Sequence, residues 1–158
     1  MIIKKIDTVL SAFELFKCFY EEKNVVYLDS SMDPKKLGKY SFIGFDPFLK
    51  IKAKNEKVEV IQKDQILEFK NKNPIEILNN YLEKYKTTFN KFPFNSGALG
   101  YFSYDLCHHI EKLPRTAIDD MDIPDMFFGF YSKIIFINNQ TNDKYIVLND
   151  DLDKEITI

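Results

Sequence analysis

The stretch Leu49-Lys50-Ile51-Lys52-Ala53-Lys54-Asn55-Glu56-Lys57-Val58-Glu59-Val60-Ile61 decides the fold class. Leu49, Ile51 and Ala53 alternate with Lys50, Lys52 and Lys54. That period of two puts aliphatic groups on one face of an extended strand and ammonium groups on the other. Asn55-Glu56 supplies a turn, and Val58-Glu59-Val60-Ile61 returns. The segment predicts an antiparallel hairpin with its lysine face toward water and its aliphatic face inward.

Toward the N-terminus, Val25-Val26-Tyr27-Leu28 predicts a short buried strand, and Lys39-Tyr40-Ser41-Phe42-Ile43-Gly44 another, closed by an Asp46-Pro47 turn. Ser11 with Glu14 three positions on is a capping-box pattern that starts a helix over residues 11–22. Phe13, Phe16, Cys18, Phe19 and Tyr20 form its apolar side, with Cys18 expected in the core. Toward the C-terminus, Asn73-Pro74-Ile75-Glu76 is a helix start with an Asn cap and Pro at the first helical position. Ile75, Leu78, Tyr81, Leu82 and Tyr85 follow it at helical spacing.

A loop over 87–96 leads to a strand, Gly97-Ala98-Leu99-Gly100-Tyr101-Phe102, then a short helix over 104–113 and an acidic irregular stretch over 115–124. Residues 127–138 and 144–148 are expected to pair as a hairpin. Strands come in bursts without regular strand–helix alternation. The expectation is therefore one α+β domain over 1–158, mainly antiparallel β-sheet and sandwich-like, with two or three helices.

Composition excludes several classes. The 158 residues include 15 Phe and 9 Tyr, too many large apolar groups for a disordered chain. No apolar run approaches the ~20 residues of a membrane span. Two cysteines, Cys18 and Cys107, cannot staple a disulfide scaffold. Met1-Ile2-Ile3-Lys4-Lys5 lacks the apolar region of a signal peptide, so a cytoplasmic location with reduced thiols is expected. A net charge of −2 gives no broad attraction to nucleic acid or membrane, and neither is expected as a partner. Lys50, Lys52 and Lys54 read as a solvated sheet face. Arg115 is the one arginine, so bidentate capture of a carboxylate is available at a single position.

Motifs for chemistry are few. His108 and His109 are adjacent, and neighbouring helical side chains point ~100° apart, so they do not share one ion. No second Cys or His cluster lies near Cys107, and no metal site is expected. Nucleophile-elbow, Walker and GxGxxG patterns are absent. The acidic groups Asp119-Asp120 with Asp122, and Asp150-Asp151 with Asp153, each admit two readings, a cation site or a solvated loop. One cluster remains. If the strands ending at Leu28-Asp29-Ser30-Ser31 and starting at Lys39-Tyr40-Ser41-Phe42 are neighbours, Ser30 and Lys39 face each other across their ends. A hydroxyl, an ammonium and free backbone groups could then hold a zwitterionic amino-acid head, with Tyr40 and Phe42 walling a side-chain slot. The alternative is a polar turn held by its own serines.

At these residues the chain resembles a known family. Leu28-Asp29-Ser30, then Leu37-Gly38-Lys39-Tyr40-Ser41-Phe42-Ile43-Gly44 and Asp46-Pro47, resemble the N-terminal region of component I of anthranilate synthase and aminodeoxychorismate synthase. Gly97-Ala98-Leu99-Gly100-Tyr101-Phe102-Ser103-Tyr104-Asp105 resembles that region's second signature, and Ile123-Pro124-Asp125-Met126 also fits. The resemblance implies a subunit that takes ammonia from a glutamine amidotransferase subunit and adds it to chorismate with Mg²⁺, on the route to folate or tryptophan. Asp29-Ser30, in place of Glu-Ser, looks more like the aminodeoxychorismate branch.

Family subunits are much longer, and the resemblance places their chorismate site in a C-terminal catalytic domain with no counterpart here. No catalytic residue and no cofactor is therefore expected in this chain, and Mg²⁺ is implied only for the absent part. The resemblance implies a pocket for tryptophan or a similar amino acid at Asp29, Ser30, Lys39, Tyr40, Ser41 and Phe42. Lys39 stands where Arg is commoner, keeping the charge without the planar fork. Three readings compete: a regulatory domain with an amino-acid pocket, a small standalone enzyme, and a module that only docks the amidotransferase. Surface meant for the catalytic domain would favour self-association of the isolated chain. Phe92, Phe94, Phe127, Phe128 and Phe130 are candidate positions, with burial in the core as the alternative.

Overall fold

The computed structural model describes residues 1–152 except Ser31, Pro34, 89–91, Arg115, Ala117, Asp150 and Asp151. In chain order its elements are β1 (Ile2–Ile6), α1 (Ala12–Lys17), β2 (Val26–Leu28), β3 (Tyr40–Phe45), β4 (Leu49–Lys54), β5 (Lys57–Gln62), β6 (Gln65–Lys70), α2 (Pro74–Lys84), β7 (Gly97–Phe102), a 3₁₀ helix (Tyr104–His109), β8 (Met126–Tyr131), β9 (Lys133–Asn138) and β10 (Asp143–Leu148). The strands form two five-stranded sheets, ordered β1-β10-β9-β3-β2 and β6-β5-β4-β8-β7. The pairs β1–β10, β10–β9, β9–β3, β3–β2, β4–β5 and β5–β6 are antiparallel. The chain is thus α+β and mainly antiparallel, with three helical segments among the described residues. No helix is long and apolar enough to cross a membrane. The chain divides into two compact units. Unit 1 comprises Met1–Phe48, Thr87–Gly97 and Phe130–Ile158; unit 2 comprises Leu49–Lys86 and Ala98–Gly129.

In unit 1 the capping box forms as expected. Glu14 N donates to Ser11 Oγ at 3.2 Å, and Ser11 N donates to Glu14 Oε2 at 2.8 Å. These bonds satisfy amides that a helix start leaves orphaned. The helix ends at Lys17 rather than residue 22. Its single buried position is Leu15, which packs on Ile43, Ile135 and Ile137. Cys18 caps the helix and is exposed, not in the core, its Sγ lying 3.4 Å from Glu14 O. A six-residue helix buries one turn, and Leu15 takes it. Phe16 stacks on Tyr27 and Phe19 on Phe45, at centroid distances of 5.2 and 5.0 Å. The expected strand over 127–138 is two strands. Ser132 separates β8 from β9, and they belong to different sheets.

In unit 2 the β4–β5 hairpin has the expected register, with Ile51 opposite Val60 and Ala53 opposite Val58. Leu49, Ile51, Ala53, Val58 and Val60 are buried, and Lys50, Lys52 and Lys54 are half-buried on the other face. Strand β6 extends this hairpin and β1 edges the other sheet; neither was evident in the sequence. Asn73 Oδ1 caps α2 by accepting from Ile75 N at 2.9 Å, and the buried side of α2 is Pro74, Ile77 and Leu78. Gly100 brings β7 against β8 so closely that a Cβ would lie 2.0 Å from Phe127 O. Phe130 is a core residue, while Phe92, Phe94, Phe127 and Phe128 are half-buried.

Candidate functional site

The strands bearing the candidate residues are neighbours in unit 1. Leu28 pairs with Phe42, and the chain leaving β2 as Asp29-Ser30 runs beside the start of β3. Ser30 N donates to Ser41 Oγ at 3.2 Å. From the β9–β10 turn, the Asn139 side-chain amide reaches Ser30 O at 3.2 Å, Gly38 O at 2.9 Å and Ser41 Oγ at 2.9 Å. Asn139 N donates to Lys39 O at 2.9 Å. Gly38 is buried against the returning chain: a Cβ there would lie 2.4 Å from both Ser30 O and Met32 O. The absence of a side chain is what lets the two segments touch.

The side chains divide between the two faces of the sheet, as strand alternation requires. Ser41 is fully buried on the face that α1 covers, alongside Tyr27. Tyr27 donates its hydroxyl to Asp29 Oδ1 at 2.9 Å, and Asp29 is exposed. Burial, then the bond to Asp29 and its negative charge, push the Tyr27 phenol up to about 12, against an opposing hydrogen bond from Ser41. Tyr40 and Phe42 lie on the opposite face, with centroids 5.2 and 5.7 Å from Phe136. The loop between α2 and β7 adds Phe92, 4.5 Å from Phe136, and Phe94, edge-on to Phe42 at 5.7 Å. Lys39 is exposed and holds its ammonium 5.1 Å from the centroid of the Tyr40 ring.

The tip of β2 and β3 thus carries an exposed carboxylate and ordered backbone groups with the face that α1 covers, an aromatic wall on the opposite face, and the Lys39 ammonium over the Tyr40 ring. A carboxylate recognises an ammonium, an ammonium recognises a carboxylate, and a wall of rings takes up an apolar or aromatic side chain. The sequence pointed to neither Asn139 nor Tyr27. The only trace of Tyr27 was its i,i+2 spacing to Asp29, which puts both on one face of an extended chain.

Unit 2 answers the question left open by its acidic stretch. Lys54 pairs with Asp119, lies 3.9 Å from both Asp122 and Asp125, and donates to Ile123 O at 2.7 Å. The cation these carboxylates face is a lysine of the chain itself, from the hairpin face expected to be solvated. Asp119 comes first among the causes holding the Lys54 ammonium above its ordinary value. Asp125 is buried, accepts from Asn55 N at 2.8 Å and meets His109 Nε2 at 2.9 Å. His109 and His108 border a cleft of about 690 Å³ with Asn55, Asn71, Lys72 and Glu111. Among the described residues no three His, Cys, Asp or Glu side chains are grouped to hold a metal ion. Arg115, Asp150, Asp151 and Asp153 lie outside the described residues.

The crystal structure of anthranilate synthase component I from Streptococcus pneumoniae shares this fold, with a TM-score of 0.62, 21% identity, and coverage of 94% of this chain and 31% of that one. The chain is 33% identical over 137 residues to anthranilate synthase component 1 of Acetivibrio thermocellus, covering 85% of this chain and 28% of that protein. It is 29% identical over 143 residues to aminodeoxychorismate synthase component 1 of Bacillus subtilis, covering 89% of this chain and 29% of that protein. None of the protein-family models compared with the chain matches it. The homologues of this chain, over most of its length, are component I of anthranilate synthase and of aminodeoxychorismate synthase. The chain spans less than a third of the length of these relatives.

Proposed function

We propose that this chain is the N-terminal, non-catalytic domain of an aminodeoxychorismate synthase component I, and that the tip of β2 and β3 is its pocket for tryptophan or a similar amino acid. The parent enzyme aminates chorismate with ammonia from a glutamine amidotransferase subunit, for folate synthesis. The observation that carries the reading is the joining of Asp29-Ser30 to Lys39-Tyr40-Ser41-Phe42 through Ser41 and Asn139. It brings the two sequence elements of the resemblance to one place, beside the Phe136 aromatic cluster. Asp29 is the ligand for the α-ammonium, Lys39 for the α-carboxylate, and Tyr40 and Phe42 line the side-chain slot.

Mg²⁺ and the chorismate chemistry belong to the catalytic domain of the parent protein. The gathered carboxylates Asp119, Asp122 and Asp125 already face Lys54, so no step of the reaction is assigned to this chain. The 158-residue chain with chorismate, ammonia and Mg²⁺ is expected to form no product; turnover would refute the non-catalytic role. A second reading, the same domain of an anthranilate synthase component I with a tryptophan feedback site, is favoured by the 33% identity to such a protein. The product of the full-length enzyme, aminodeoxychorismate or anthranilate, separates the two. A third role, docking the amidotransferase without a ligand, predicts no response to tryptophan at Ser30 or Lys39.

A further inference from the structure

The Asn139 side chain leaves the β9–β10 turn with its nitrogen fully committed. Nδ2 lies 3.2 Å from Ser30 O, 2.9 Å from Gly38 O and 2.9 Å from Ser41 Oγ. Carbonyl oxygens only accept, so the nitrogen end of the carboxamide faces them and the oxygen end faces away. Its two protons meet three acceptors, and no donor is left over. Asn139 Oδ1 has no hydrogen-bond partner among the described residues, and it is not one of the buried polar atoms that lack one. It is an open acceptor on a half-buried residue. The turn that carries it is tied internally. Asn138 Oδ1 accepts from Gln140 N at 3.0 Å and Thr141 N at 3.3 Å. The ammonium of Lys144, a residue only 1% exposed, donates to Asn142 O at 3.1 Å and Asn142 Oδ1 at 2.7 Å. Asn139 N donates to Lys39 O at 2.9 Å, so the residue is held through both its main chain and its side chain.

We infer that Asn139 is a specificity-determining residue of the amino-acid pocket, its Oδ1 accepting a hydrogen bond from the ligand's ammonium group; this rests on the pocket reading above. With its nitrogen spent, the carboxamide can only accept, so it selects a ligand group that donates. A ligand carboxylate is all acceptor and gains nothing there. Asn139 is tied to Ser30, Gly38 and Ser41, whereas Tyr40 and Phe42 lie on the opposite face against Phe136. The part of the ligand that meets it is therefore the polar head and not the ring. An ammonium carries three N–H donors, so a bond to Asn139 leaves others for Asp29. An acceptor fixed before binding also spares the complex the entropy of ordering a loose side chain.

The test uses the whole 158-residue chain, labelled with ¹³C and ¹⁵N and titrated by NMR with three probes. Tryptophan is the first, tryptamine lacks the carboxylate, and indolepropionate lacks the ammonium. A hydrogen bond to Oδ1 polarises the carboxamide and moves the Asn139 ¹³Cγ resonance downfield. That shift is expected with tryptophan and tryptamine and not with indolepropionate. An Asn139 ¹³Cγ that stays in place while tryptophan moves the amides of Asp29, Ser30 and residues 39–42 overturns the inference and leaves the pocket standing. An equal ¹³Cγ shift with indolepropionate does the same. No response of those amides to any probe removes the pocket and the inference with it. Asn139→Ala gives a second readout: it is expected to weaken tryptophan about tenfold more than indolepropionate, the difference expected of one hydrogen bond from a charged donor. Equal weakening of the two overturns the inference, because general disturbance of the loop does not discriminate between ligands. Should that variant fail to fold, the ¹³Cγ comparison in the unaltered chain decides by itself.

Discussion

The Asp125 carboxylate meets the His109 imidazole at 2.9 Å, with Asp125 almost wholly buried at the start of the chain's return into β8. The same carboxylate oxygen accepts the Asn55 amide of the β4–β5 turn, and Asp125 N donates to Ala53 O. One side chain thus ties the 3₁₀ helix, a hairpin turn and the entry to a central strand of unit 2. Replacing Asp125 by Ala removes the buried carboxylate oxygen to which the Asn55 amide and the His109 imidazole are both bonded. The expected loss is about 3 kcal/mol of unfolding free energy, read from the urea midpoint, while Asp125→Asn, which keeps an acceptor oxygen, costs about 1 kcal/mol.

Gly38→Ala tests the close approach at the candidate site. A Cβ 2.4 Å from the carbonyl oxygens of Ser30 and Met32 forces those groups away from β3. The expected destabilisation is about 2 kcal/mol, with loss of the NMR response of Ser30 to tryptophan. A variant as stable as the parent would show that the two segments are not in contact.

The capping box predicts an acid-side dependence. The Ser11 amide and hydroxyl, bonded to the Glu14 carboxylate, hold it below the ordinary glutamate value of 4.5. A depressed carboxylate contributes stability above its unfolded value and loses it as pH falls through the folded value. Helix α1 should therefore weaken from about pH 4.5 downward, and Glu14→Gln should flatten that part of the stability profile while leaving the neutral region little changed. An identical acid limb in both proteins would contradict the bond.

The chain carries exposed Phe102, Tyr104, Ile118 and Met121 in unit 2. Apolar surface of this kind promotes association. Sedimentation is expected to show dimers or larger species growing with concentration, and a Phe102→Ser variant is expected to reduce them. A strictly monomeric profile at high concentration would contradict this.

How much was legible in the sequence depended on whether the signal was local. The β4–β5 hairpin, both helix caps and the strand at Gly97–Phe102 follow from alternation, capping chemistry and glycine punctuation within a few residues. Ser132 divides two strands without Gly, Pro or a polar run, so the division was invisible: it comes from each half pairing in a different sheet. Strand β6, Gln65–Lys70, is an edge strand exposed along most of its length and lacks the alternation that burial imposes. Cys18 was expected inside because it lies among Phe13, Phe16, Phe19 and Tyr20 on the apolar side of the predicted helix, but the helix stops before reaching it. Lys54 meets Asp119, and Asn139 meets Ser30, across long sequence separations, and both were seen only as members of a strand face and a turn. The elements of the candidate site were recognisable as Asp29-Ser30 and Lys39-Tyr40-Ser41-Phe42; the residues that hold them together were not.

The most direct test of the pocket is an NMR titration of the ¹⁵N-labelled chain with tryptophan up to its solubility limit, alongside Ser30→Ala and Lys39→Ala variants. The account predicts saturable shifts confined to the amides of Asp29, Ser30, residues 39–42 and Asn139, lost or strongly weakened in Lys39→Ala. Shifts centred elsewhere, no shifts at all, or a response untouched by both substitutions would contradict it.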